Sequence, residues 1–188
     1  DIIGDGELGI VNDAEIPSVI YNLISDLGFN DFTICINNRK VLNGLFREVN
    51  QEQNAVDIMR TIDKLAKIGK EKVIEELKEI GVDDQAIERI LTFIEIDGTT
   101  DEKISKLENL GILNEMFTQG LEVLKQVVKY IRIFGVPDTH FKIDLTIARG
   151  LDYYTGTVYE TFLNDYKELG SVCSGGRYEN LAEYYTDK

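Results

Sequence analysis

Between residues 51 and 109, apolar side chains recur only at the three-and-four spacing of helices, whereas the flanking segments also hold stretches that alternate apolar and polar residues. That contrast excludes an all-helical bundle and an all-β sandwich. It leaves an α+β domain with a helical block set into it. Four short helices are expected in the block. One carries Ile58, Met59, Ile62 and Leu65; the next carries Val73, Ile74, Leu77 and Ile80 and stops at Gly81. A third follows Asp83 and Asp84 with Ile87, Ile90, Leu91 and Ile94. The fourth opens on Thr99 and Glu102, the spacing of a capping box. Each apolar stripe is read as packing of one helix on the next.

The flanks supply the sheet. A first helix is expected to carry Ile16, Val19, Ile20, Leu23, Ile24 and Leu27, with Asn12 or Asp13 as N-cap, Pro17 near its first turn and Gly28 as its stop. "FTICIN" alternates with Phe32, Ile34 and Ile36 on one face and is read as a strand, followed by a short helix over 40–46. After the block, a longer helix over 113–134 has Leu113, Met116, Phe117, Leu121, Leu124, Val128 and Ile131 as its stripe, closed by Gly135 and Pro137. "FKIDLTIAR", "TVYETF" and "LGSVCSGG" then read as successive strands, the last reached through the polar loop "LNDYKE". Short connections between them imply antiparallel pairing. The chain thus divides into segments 1–46, 47–118 and 119–188, the middle one being the insert.

The 188 residues suit one compact domain, or one domain carrying a smaller inserted one. No stretch approaches the roughly 18 unbroken apolar residues of a membrane helix. The start, "DIIGDGELGI", has no basic region followed by an apolar core, and its lack of Met suggests a fragment or a processed chain. Cys35 and Cys173 cannot make a disulfide framework, so two free thiols in the cytoplasm are expected. The net charge of −14 excludes nonspecific nucleic-acid binding by a broad basic surface, though not a local contact. The last third is the least acidic and holds most of the tyrosines.

Chemistry is concentrated there. "IARGLDYY" places Arg, Gly and Asp at the end of an apolar strand, residues that strand interiors avoid. By parity Arg149 falls on the apolar face, where an unpaired guanidinium is costly, so either the strand ends by Ala148 or a bulge at Gly150 re-aims it. A guanidinium suits a carboxylate or phosphate, and a tyrosine hydroxyl can orient a polar ring. An Arg–Asp ion pair beside a packed tyrosine would account for the same residues. In "SGGRYENL", Gly175 and Gly176 permit a tight turn and close approach to the backbone, and Arg177 and Tyr178 follow at once; "ENLAEYY" resumes as a helix. His140, the single histidine, and two distant cysteines give no metal-ligand spacing, so no metal site is assigned. No phosphate-binding glycine loop or dinucleotide fingerprint is present.

"ARGLDYYTGTVYE" resembles the first histidine-specific signature of the histidyl-tRNA synthetases, and "GGRYENL" resembles the second, with Glu179 where the family usually has Asp. "DIIG" is similar to the end of the family's motif 2 strand, "INNRKVLNGLF" to the segment after the next strand, and residues 47–118 to its helical insertion. The resemblance implies part of a class II synthetase antiparallel sheet with flanking helices, interrupted by an all-helical insertion. Motif 1, most of motif 2, motif 3 and the anticodon-binding domain lie outside these residues.

The implied chemistry is activation of histidine by ATP, with Mg2+, and transfer to tRNA(His) by a homodimeric parent enzyme. Arg149 would be the catalytic arginine at the α-phosphate. Asp1, Tyr153, Tyr154, Gly175, Gly176 and Tyr178 would form the histidine pocket. Lys64, Lys67, Lys70 and Lys72 would offer the insert a contact to tRNA, although a solvated helix face accounts for them equally. Two relatives are the rivals: a histidine-sensing regulatory subunit of ATP phosphoribosyltransferase and the synthetase-like region of a stress kinase. The 188-residue chain alone is expected to be inactive.

Overall fold

The computed structural model describes residues 2–3, 8–147 and 154–179. Four strands form one mixed sheet in the order β2-β1-β3-β4: β1 (Phe32–Asn38), β2 (Phe141–Ile143), β3 (Thr157–Leu163) and β4 (Ser171–Gly176). β1 and β3 pair antiparallel along their whole length, from Phe32 opposite Leu163 to Asn38 opposite Thr157. β3 and β4 form an antiparallel hairpin with an irregularity between Thr161 and Phe162. β2 departs from the antiparallel expectation: it pairs parallel with β1 and does not touch β3. A parallel pair needs a long crossover, and the helices between β1 and β2 supply it.

Those helices are α2 (Arg39–Glu48), α3 (Ala55–Asp63), α4 (Leu65–Ile68), α5 (Lys70–Glu79), α6 (Asp84–Ile94), α7 (Thr100–Glu108) and α8 (Glu115–Ile133), with α1 (Ile10–Asp26) ahead of β1. Local signals placed several of them. Asp83 caps α6 by accepting from the Ala86 amide at 2.9 Å. Thr99 and Glu102 form the capping box of α7, and Gly81 leaves α5 with φ 87°. Phe32, Ile34 and Ile36 of β1, with Tyr159 and Leu163 of β3, are buried against Ala14, Leu42, Phe46, Leu124 and Val128. The same continuous core runs on through Ile58, Ile62, Val73, Leu77, Ile87 and Ile90 of the helical block. Lys103 of α7 is buried, and its ammonium donates to the Ile143 carbonyl at 2.9 Å, seating the block on the end of β2.

Four elements differ from expectation. The first helix expected in the block is broken in two, α3 ending at Asp63 and Leu65 opening α4. α1 starts at Ile10 with Gly9 as N-cap, so neither Asn12 nor Asp13 caps it, and Pro17 lies in the helix body. Its buried face is Asp13, Ala14, Pro17 and Ile24, while Val19, Leu23 and Leu27 are exposed. The helix is rotated because Asp13 is drawn inward by polar partners on the sheet. Leu113 is 85% exposed and precedes α8, whose cap is Asn114: its oxygen accepts from the Phe117 amide at 3.0 Å. β2 ends at Ile143, well before Ala148, because the Asp144 carboxylate accepts from both the amide and the hydroxyl of Thr146, at 3.1 and 2.6 Å, and turns the chain. Leu145 then belongs to the main core, whereas Ile147 packs on the opposite face of the sheet with Cys35 and Val158.

Candidate active site

That opposite face carries the candidate site. Strand alternation places Cys35 and Asn37 of β1, Val158 and Glu160 of β3, and Ser174 and Gly176 of β4 on it together. Asn37 is fully buried and donates its side-chain N–H to the Ile147 carbonyl at 3.0 Å, guiding the chain toward the first signature. Tyr154 and Phe162 pack over the small apolar cluster of Cys35, Ile147 and Val158. Burial, and then the nearby Asp144 carboxylate, push the Cys35 thiol up to about 12, so it stays protonated at neutral pH and is no nucleophile. Glu160 is a buried carboxylate in the middle of this face.

The two glycines are not a turn. Both are residues of β4, paired with Tyr159 and Val158, and neither has a positive φ. They also differ from each other. A Cβ on Gly176 would lie 2.7 Å from the Tyr154 ring and 2.9 Å from the Thr157 carbonyl, whereas one on Gly175 would meet nothing within 4 Å. Register turns Gly175 toward the face of Tyr159 and Gly176 toward that of Tyr154. Because Gly176 has no side chain, the Tyr154 ring settles on the strand and meets Tyr178, with centroids 4.9 Å apart and planes at 47°. Two half-exposed tyrosines thus stand together at one end of the β3–β4 hairpin.

Between them sits Arg177, to which composition assigned no separate role. Its amide donates to the Thr157 carbonyl at 2.9 Å, and its carbonyl accepts from the Thr155 amide at 2.9 Å. Its guanidinium crosses Gly156 to the helical face, where it donates to Asp13 at 2.8 Å and to the Leu8 carbonyl at 2.7 Å. Asp13 also accepts from the Thr157 hydroxyl at 2.6 Å, and the Tyr159 hydroxyl donates to its backbone carbonyl. That carbonyl is the one Pro17 cannot serve, having no N–H four residues on. Burial, then the Asp13 carboxylate, hold the Tyr159 phenol well above its usual pKa, so it remains a donor. The one sequence signal for this network was an aspartate inside an otherwise apolar helix face.

The other expected residues divide. Tyr154, Gly176 and Tyr178 come together; Asp1, Arg149 and Tyr153 lie outside the described residues, as does the helix expected after Glu179. Lys64 pairs with Glu76 at 2.7 Å and Lys70 with Glu95 at 2.5 Å, while Lys67 and Lys72 are exposed. His140 is a packing residue, edge-on to Tyr21 at 5.2 Å and against Phe32 at 4.8 Å. Among the described residues, no group of three or more His, Cys, Asp or Glu could hold a metal ion. No described helix is long and apolar enough to cross a membrane.

The family model described as "Histidyl-tRNA synthetase" matches residues 2–188. The chain belongs to the histidyl-tRNA synthetase family. It is 58% identical, over its whole length, to the histidine–tRNA ligase of Clostridium tetani and 48% identical, over 99%, to that of Finegoldia magna. It spans 43% of the length of each. The crystal structure of histidyl-tRNA synthetase from Nostoc sp. PCC 7120 superposes with a TM-score of 0.91 at 44% identity, covering 95% of this chain and 42% of that one. A structure from Bacillus halodurans, described as an ATP phosphoribosyltransferase regulatory subunit/histidyl-tRNA synthetase, shares the fold at a TM-score of 0.78 and 24% identity. The described residues of the stretches resembling the two histidyl-tRNA synthetase signatures, 154–160 and 175–179, run into β3 and out of β4, and their Tyr154 and Tyr178 meet beside the Thr157 end of β3.

Proposed function

We propose that this chain is the central part of the catalytic domain of a cytoplasmic enzyme that activates histidine and charges tRNA(His), with residues 47–118 as its insertion domain. The observation that carries the site is the meeting of Tyr154 and Tyr178 over Gly176, at the open end of β3 and β4. Tyr154 orients the substrate imidazole through its hydroxyl, Tyr178 lines the same pocket, and Asp1 and Tyr153 complete it. Gly176 keeps the tyrosines close, while Gly175, turned to the other face, gives the pocket no more than its main chain. A polar pocket of this type rejects apolar analogues, because such a ligand covers its hydroxyls and leaves them unpaired.

In the first step the histidine carboxylate attacks the α-phosphorus of ATP, the bond to the β-phosphate oxygen breaks, and pyrophosphate leaves. Arg149 places a fixed cation where charge builds on the α-phosphate. In the second, a ribose hydroxyl at the tRNA 3′ end attacks the acyl carbon and AMP leaves. Mg2+ enters with the ATP phosphates and supplies charge neutralisation; no residue of this chain is assigned to it. Lys67 and Lys72 face solvent and are the more available members of the tRNA-facing cluster, since Lys64 and Lys70 must exchange a carboxylate for a phosphate. The parent is proposed to act as a homodimer, and the 188 residues alone to be inactive.

The test is histidine-dependent ATP–pyrophosphate exchange by the full-length parent and its Arg149→Ala variant. Exchange that falls by about a hundredfold or more in the variant supports the assignment. A folded parent that binds histidine without exchange is a histidine-sensing subunit instead. Charging by a Lys67→Glu, Lys72→Glu parent checks the insert: an unchanged KM for tRNA removes these lysines from the interface.

A further inference from the structure

Asp13 lies on the far side of the sheet from the proposed histidine pocket, yet both contacts of its carboxylate lead there. Its carboxylate is 6% exposed and takes the Arg177 guanidinium on one oxygen at 2.8 Å and the Thr157 hydroxyl on the other at 2.6 Å. Arg177 has a second anchor, the Leu8 carbonyl at 2.7 Å, so two directed bonds fix its side chain at both ends of the fork. Its main chain is held equally well, through Thr155 and Thr157. Arg177 is therefore the last pinned residue before Tyr178, and Thr155, bonded to it, is the first after Tyr154. The spacing of the two tyrosines is set from behind the sheet.

A buried ion pair contributes little net stability compared with well-packed apolar side chains of the same volume. What it supplies is direction: a planar guanidinium whose two terminal nitrogens go to different acceptors, the Asp13 carboxylate and the Leu8 carbonyl, tolerates few orientations of either. An apolar contact between α1 and β4 would hold the elements together as strongly but would let Arg177, and the tyrosines beside it, slide. Gly156 fits the same purpose. A Cβ there would stand 3.2 Å from the Arg177 Cδ, so glycine clears the path by which the arginine stem reaches α1.

We propose that Asp13 is a positioning residue for histidine recognition, acting through Arg177 to set the separation of Tyr154 and Tyr178. The inference rests on those tyrosines forming the histidine pocket. It gives α1, a helix without a signature residue, a part in substrate selection.

The experiment measures histidine and ATP KM separately, by pyrophosphate exchange, in the full-length parent and in its Asp13→Asn, Arg177→Lys, Thr157→Val and Tyr154→Phe variants. Asp13→Asn is expected to raise histidine KM at least about tenfold while ATP KM stays within about twofold. Arg177→Lys keeps the charge and loses the fork, and Thr157→Val removes one hydroxyl, so both should move histidine KM less and in the same direction. If Asp13→Asn does not fold, those two milder variants decide the matter alone. Histidine and ATP KM rising together, or neither changing, overturns the proposal. Tyr154→Phe separates the two levels. If it raises histidine KM while the Asp13 and Arg177 variants do not, the pocket stands and the positioning role falls. If it leaves histidine KM unchanged, the pocket itself is misplaced.

Discussion

Gly176 is fixed by a steric requirement that Gly175 lacks. The first would drive a methyl into the Tyr154 ring and the Thr157 carbonyl at 2.7 and 2.9 Å; the second opens on space. Gly175→Ala should therefore leave melting temperature and histidine KM close to the parent's, since alanine also costs less backbone entropy than glycine in a strand. Gly176→Ala should displace Tyr154 and raise histidine KM severalfold in the same assay. Equal effects from the two substitutions would contradict the register of β3 and β4. The same residue-scale logic separates the buried polar groups. Asn37 and Asp13 are both inside, but they hold different segments: Asn37 guides residues 145–147, and Asp13 anchors Arg177.

Among the helix pairs, α2 and α8 pack the most extensively, and they do so on glycine. A Cβ on Gly44 would sit 2.5 Å from that of Phe117, and one on Gly120 would sit 2.7 Å from the Val41 amide. Both contacts are with backbone or the root of a side chain, so no rotamer change relieves them. Gly120→Ala gains up to about 1 kcal/mol of helix propensity. It must also push apart two helices that cover the sheet, at about 1–3 kcal/mol or more. The clash should win, and denaturant unfolding should show a net loss of stability. A gain would mean that the helices separate more easily than their packing indicates. α1 shows a different device, in which a proline inside the helix frees a carbonyl for Tyr159.

For the molecule as a whole, Arg132 ties the helical block to the sheet. From α8 it bonds Asp101 of α7 at 2.9 Å and Asp138, ahead of β2, at 2.6 Å, and its guanidinium stands 6.0 Å from the Phe141 ring. Its hydrogen bond holds the Asp138 carboxyl below the usual carboxylate value. A depressed folded-state pKa means stabilisation present above the unfolded value of about 3.9 and lost as pH falls through the folded one. Arg132→Gln should thus lower the melting temperature modestly at pH 6, the groups being partly exposed. The difference from the parent should shrink below about pH 4. A difference that persists unchanged in acid would assign the effect to packing on Phe141 instead.

Helix positions, caps and stops depend on residues within a few places of one another, and the chain itself determined them: Asp83, Thr99 with Glu102, and Gly81 act where local rules put them. The run of short helices after β1 was likewise legible, as was the family the chain belongs to. Strand partnership was not. β2 pairs with β1 across the whole helical block, and no residue pattern local to either strand specifies a partner so far along the chain. Asp13 and Arg177 stand 164 positions apart, and no periodicity links them. Half of the α1 stripe faces outward because one carboxylate had a partner on the sheet. Tertiary structure alone decided which face of α1 turned inward and which glycine carries a ring, because both depend on register between segments that meet only when folded.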